Sequence, residues 1–164
     1  MVLSTFDPRD EIITVLKAYI PAGQEDTGIV FHTTRGDETI VDVHLWEGEL
    51  TKFEEGGKLG FENPNMILLS MVSSTAKNEH IGGGRRSHVA LIDAHIFLVK
   101  DDRWAIESVC QEVSDNVEAC IRASEKTVTG CIFVECINAR DLDPLKQSLG
   151  KRRIVGIRVY GDYD

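Results

Sequence analysis

Two adjacent stretches constrain this chain more than any others: residues 88–99 and residues 103–123. In the first, Ala90, Ile92, Ala94, Ile96 and Leu98 occupy every second position, which predicts a long strand with one apolar face. In the second, Ile106, Val109, Cys110, Val113, Val117, Cys120 and Ile121 recur at steps of three and four, which predicts an amphipathic helix. Asp101 or Asp102 is placed to cap it. A stripe and a face of this kind satisfy one another. The helix is expected to lie across Ile92, Ala94 and Ile96, with the small residues at 90 and 94 permitting close approach.

The rest of the chain supplies more sheet and one more helix. Asp7 is a candidate cap and Pro8 suits a first helical position, while Asp10 and Glu11 favour the positive end of the dipole. Ile12, Ile13, Leu16, Tyr19 and Ile20 then repeat at helical spacing until Pro21 and Gly23. Strands are predicted at 28–33, 39–46, 66–73, 128–137 and 152–160. In the second of these, Val41, Val43 and Leu45 alternate with Asp42, His44 and Trp46. Asp141 to Pro144 reads as a break. Residues 47–65 and 74–87 read as long loops, the first with Phe53 as a possible anchor. Residues 1–164 are thus expected to form a single α+β domain, one mixed, mainly antiparallel sheet packed with two helices.

Charge narrows the function classes. The net charge of −9 repels nucleic acid and anionic membrane, and no apolar run approaches the roughly 20 residues that span a bilayer. Residues 1–6 have no leader-like pattern, so folding in the cytoplasm is expected. Cys110, Cys120, Cys131 and Cys136 form no C-x-x-C pair and read as free thiols acting as small hydrophobes.

Few residues suggest chemistry. Gly82-Gly83-Gly84-Arg85-Arg86 has glycines for close backbone approach and arginines for phosphate, but it opens a strand, where a phosphate loop opens a helix. It reads as a hairpin loop with solvated arginines, as a loop that orders against a neighbouring subunit, or as a small-ligand site. Asp42/His44 and Asp93/His95 each place a carboxylate and an imidazole on one strand face. On neighbouring strands the four would converge as a metal or acid–base site. Otherwise they form a polar sheet face or a subunit contact. Trp46 and Phe97 share those faces with His44 and His95, the mixed aromatic and polar texture of interfaces, unless the 47–65 loop covers them. Lys151, Arg152 and Arg153 are expected to pair with acidic groups on a partner or to be solvated. No catalytic, cofactor or metal residue is nominated.

The order of elements resembles the tail terminator family of long-tailed bacteriophages and archaeal tailed viruses. The resemblance lies in the helix at 8–20, the strand 89–99 with its charged turn, the helix at 103–123 and the closing strand 153–160. It implies a homo-oligomeric ring, expected to be a hexamer, in the neck of a virion assembled in the host cytoplasm. Such a ring ends tail-tube polymerisation and joins the tube protein to the head–tail connector, and DNA passes through its lumen without specific binding. It implies no cofactor, no membrane and no enzymatic activity. Arg85, Arg86, Trp46, His44, His95, Phe97, Phe53, Arg152 and Arg153 are the candidate contact residues. Two other readings compete. One is a small dimeric ligand-binding or regulatory α+β domain with a pocket beside 82–86. The other is an enzyme built on the two Asp-x-His pairs.

Overall fold

The computed structural model describes residues 8–20, 22–23, 28–35, 38–46, 65–78, 86–99, 105–124, 133–142 and 151–163. Helix α1 (Pro8–Lys17) is followed by strands β1 (Ile29–Arg35), β2 (Glu38–Trp46), β3 (Met66–Asn78) and β4 (Arg86–Leu98). Helix α2 (Ile106–Ser124) and strands β5 (Phe133–Leu142) and β6 (Lys151–Tyr163) follow. The fold is α+β: among the described residues, two helices and one six-stranded, mostly antiparallel, curled sheet. Asp7, Phe53, Arg85, the glycines of the 82–84 run, Asp101, Asp102, Cys131 and Pro144 lie outside the described residues, as does 47–64 of the first expected loop.

α1 keeps its acidic first turn and buries Ile12, Val15 and Leu16. Its last turns tighten, with Tyr19 N donating to Leu16 O and Ile20 N to Lys17 O. Gly23 then takes a positive φ of 85°, which only glycine adopts without strain. α2 buries the predicted stripe, Val109, Cys110, Val113, Val117, Cys120 and Ile121. It packs on Ala90, Ile92, Ala94 and Ile96 of β4 and on Val155, Ile157 and Val159 of β6. Burial raises the thiols of Cys110 and Cys120 to about 11, so they are inert hydrophobes.

The sheet runs β1-β2-β3-β4-β6-β5. Among the described residues only β2 and β3 are parallel, over the short register His44–Met66, Leu45–Ile67 and Trp46–Leu68. β4 and β5 are both antiparallel to β6, so the strands that flank α2 point the same way and β6 lies between them. Bulges interrupt β3 between Met71 and Ser73 and β5 between Cys136 and Asn138. Both sit beside the Ile92–Ile157 pair, one on either side of it. Bulges bend a strand and increase its twist, so two at one level curl the sheet there.

Two segments differ from the sequence reading. The expected loop at 74–87 is shorter, because residues 74–78 pair with residues 86–90 and extend the β3–β4 hairpin. The expected break at Asp141 is instead strand, paired with Arg153, and its carboxylate meets Lys151 and Arg153. In both segments a partner strand supplies the hydrogen bonds that an uneven local pattern does not advertise.

Candidate functional site

The helices occupy one face of the sheet. The other face divides into a buried part near the start of β3 and a half-buried, more polar part toward the far ends of β4 and β6. Met66, Leu68, His95, Phe97, Arg152 and Ile154 make up the buried part. Strand register puts them side by side, with Met66 opposite Phe97 and Phe97 opposite Arg152, while Leu68, His95 and Ile154 form the next row.

His95 is the centre of this group. Arg152 sends Nη2 to within 3.0 Å and Nε to within 3.3 Å of His95 Nδ1. A guanidinium only donates, so Nδ1 accepts and the ring proton sits on Nε2. That proton is donated to Ser70 Oγ at 2.9 Å. The His95 ring stacks on Phe97 at 6.0 Å between centroids, and Arg152 Cζ lies 5.4 Å from the Phe97 centroid. Burial first, then the charges of Arg152 and Arg140, lower the His95 pKa to about 4. In this tautomer His95 faces Ser70 as a donor, so it is not set to take a proton from that hydroxyl.

The pKa of His95 has a consequence for stability. The unfolded chain protonates a histidine below about 6.5, whereas the folded one does so only near 4. The unfolded state therefore binds more protons between these values, and stability falls as pH drops from about 6.5 to 4. The loss approaches about 3 kcal/mol at the lower end. Urea midpoints at pH 7 and pH 4.5 will show the fall, and His95→Gln, which keeps a donor and an acceptor, will shrink it. An equal fall in the variant assigns the acid sensitivity elsewhere.

The two Asp-x-His pairs do not converge. β3 lies between β2 and β4, so the pairs are not on neighbouring strands. Asp42 instead accepts from or pairs with His32 Nδ1 at 2.6 Å, and Asp93 pairs with Arg140 at 3.2 Å. His44 Nδ1 is buried without a hydrogen-bond partner among the described residues. No group of three metal-ligating side chains occurs among the described residues.

The other candidate residues scatter. His95, Phe97 and Arg152 are 3%, 0% and 9% exposed, so they lie beneath the surface and do not form an open contact face. Arg153 points to the helix side, where Nη1 donates to Gln111 Oε1 at 2.6 Å and Nε lies 3.3 Å from Asp141 Oδ1. Trp46 and Arg86 are placed by their backbone, at the ends of β2 and β4. Asn65 is a residue that the pattern did not flag. Its carbonyl accepts from His44 N at 3.0 Å and its Oδ1 from Val99 N at 2.9 Å, which ties the start of β3 to both neighbours.

The sheet also leaves an edge open among the described residues. β2 covers β3 only over residues 66–68. From 69 to 78 the outer edge of β3 has no strand partner among the described residues, a run of roughly 33 Å. Met71 and Val72 lie on it, 42% and 57% exposed. At the other side of the sheet no strand lies outside β5 among the described residues, and its bulge residue Ile137 is 44% exposed. Native edges are usually short or guarded by charge or proline, because unpaired backbone groups recruit another strand. The uncovered stretch of β3 and the β5 edge each carry an exposed apolar side chain at a bulge, Val72 and Ile137.

Comparison with known proteins finds no protein-family model and no curated relative that matches the chain. No helix among the described residues is long and apolar enough to cross a membrane.

Proposed function

We propose that this chain is a structural virion protein that assembles into a ring at the head-proximal end of a viral tail, ends tail-tube polymerisation and joins the tube to the head connector. The observation that carries the reading is the pair of unlike open edges, β3 beyond residue 68 and β5, on opposite sides of one sheet segment. Two different patches that are complementary to each other generate head-to-tail contacts, and head-to-tail contacts that close make rings. Strand addition supplies the backbone hydrogen bonds, and Met71, Val72 and Ile137 supply apolar area. The element order, helix, strands, long hairpin, helix and two closing strands, is the one the resemblance to tail terminators calls for.

Oligomeric mass tests the proposal. Light scattering across a concentration series, with negative-stain images of any large species, is expected to give a closed ring that grows in with concentration. A fixed dimer at every concentration overturns the ring and favours the ligand-binding alternative, because a dimer is what symmetric β3–β3 pairing would produce.

A further inference from the structure

We infer that the subunits are joined by one fixed strand pairing: β5 of one copy lies antiparallel along β3 of the next, advanced by four residues, so that Asp141 faces Met71 of the neighbouring copy. The inference rests on the ring reading and adds to it the direction and register of the junction. Direction follows from topology. β3, β4, β6 and β5 are successive antiparallel neighbours, so β5 runs opposite to β3 within one subunit. Strands that pair lie within roughly 20–25° of a common axis. A ring of three or more copies turns each by at most a third of a circle, and such a turn cannot reverse a strand or exchange the two faces of a sheet. An edge-to-edge junction in the ring is therefore antiparallel and keeps the helix-bearing faces of adjacent copies on one side. A parallel or face-exchanged junction needs close to a half turn and closes as a dimer.

Register follows from what is already occupied. Within one subunit Asp141 is level with Ile67, through Arg153 and Ile96. A second copy set beside the first with no slide would lay the end of β5 on residues 66–68, where β2 is already paired. A slide of three residues clears β2 but sets Asp141, on the helix side with Arg153, opposite Ser70, on the other face with His95. An odd slide puts every side chain on the wrong face. Four is the smallest slide that meets both conditions. Leu142 then faces Ser70, Asp141 faces Met71 and, past the Val72 bulge, Arg140 faces Ser73. The lengths agree as well, since the uncovered run 69–78 and β5 have ten residues each and one bulge each. With about 3.4 Å per residue and 4.8 Å per strand, four residues of slide for every four strands incline the strands by about 35° to the ring axis. That is close to the tilt at which closed sheets settle.

Cysteine cross-linking of the full-length protein tests the register. Cys131→Ser with Cys136→Ser forms the background, and Cys110 and Cys120 stay because they are buried. Met71→Cys protein is mixed with Asp141→Cys protein, sized by light scattering, treated with copper phenanthroline and run on a non-reducing gel. Directly opposed residues stand about 4.5–5.5 Å apart, a span that a disulfide bridges. The mixture is expected to give a cross-linked dimer that neither protein gives alone. Ser73→Cys mixed with Arg140→Cys is expected to do the same, an independent pair that leaves the ion pairs of Asp141 in place. Met71→Cys with Ala139→Cys, which marks a slide of two, is expected to stay uncross-linked. All five positions are exposed, so the substitutions leave the core alone. Stronger cross-linking of the Ala139 pair, or assembled rings in which neither expected pair cross-links, overturns the register and leaves the ring reading standing. Met71→Cys protein that cross-links to itself marks symmetric β3–β3 pairing and overturns the ring reading and the register together. So does failure of the wild-type chain to form rings at any concentration.

Discussion

Val72→Lys and Ile137→Lys will each stop assembly while leaving the subunit folded. Val72 and Ile137 are bulge residues with more than two fifths of their surface in water, so a lysine at either has room to reach solvent. Exposed substitutions of this kind change stability by about 0.5 kcal/mol or less. In a junction between two edges the same lysine is buried against a neighbour without a counter-charge. Lysine on an edge is also the device by which natural sheets refuse further strands. A loss of about 1.4 kcal/mol weakens a junction tenfold, and a closed ring compounds that loss at every junction.

The geometry of the junction follows from mixing the two variants. Val72→Lys protein keeps an intact β5 edge, and Ile137→Lys protein keeps an intact β3 edge. If β3 of one copy meets β5 of the next, an equal mixture forms one junction and stops, giving a heterodimer with both outer edges blocked. If β3 meets β3 instead, Ile137→Lys assembles like the wild type and Val72→Lys alone is defective. Sedimentation of each variant and of the mixture separates these cases. Assembly of both single variants at wild-type strength means that neither edge is used.

Phe97→Ala carries the largest expected cost to the fold, about 3–5 kcal/mol. Phe97 is fully buried, stacked by His95 on one side and approached by the Arg152 guanidinium. Truncation leaves a cavity and removes the ring that shares the burial of Arg152. A charged group so exposed to an empty apolar space is costly unless water or another partner reaches it. Phe97→Leu, which keeps most of the volume, is expected to cost about 1.5 kcal/mol or less. Domain stability is of the order of 5–15 kcal/mol, so the alanine variant loses a large share of it. Urea unfolding of the three proteins measures these values. A cost below about 1 kcal/mol for alanine means that this face is open.

Local pattern carried the elements of this fold, and strand pairing carried their arrangement. The α2 stripe and the even positions of β4 were legible because helix and strand periods are properties of neighbouring residues. The far end of β3 was not, since residues 74–78 are held as strand by β4 and not by their own alternation. The intervening β3 decided that Asp42/His44 and Asp93/His95 stay apart, and no spacing within β2 or β4 encodes which strand lies between them. Whether Phe97 and His95 form a contact face or a covered one was open in the sequence, because alternation marks two faces without saying which is covered. Register sets them in the rows Met66–Phe97–Arg152 and Leu68–His95–Ile154, from three strands distant in sequence, and Phe97 at 0% and His95 at 3% exposed are covered there. The open edge of β3 is likewise a tertiary fact. The sequence determined that a strand begins at Met66, but only the three-residue reach of β2 along it leaves the remainder unpaired among the described residues, because hydrogen bonds between strands are made by whatever backbone lies alongside.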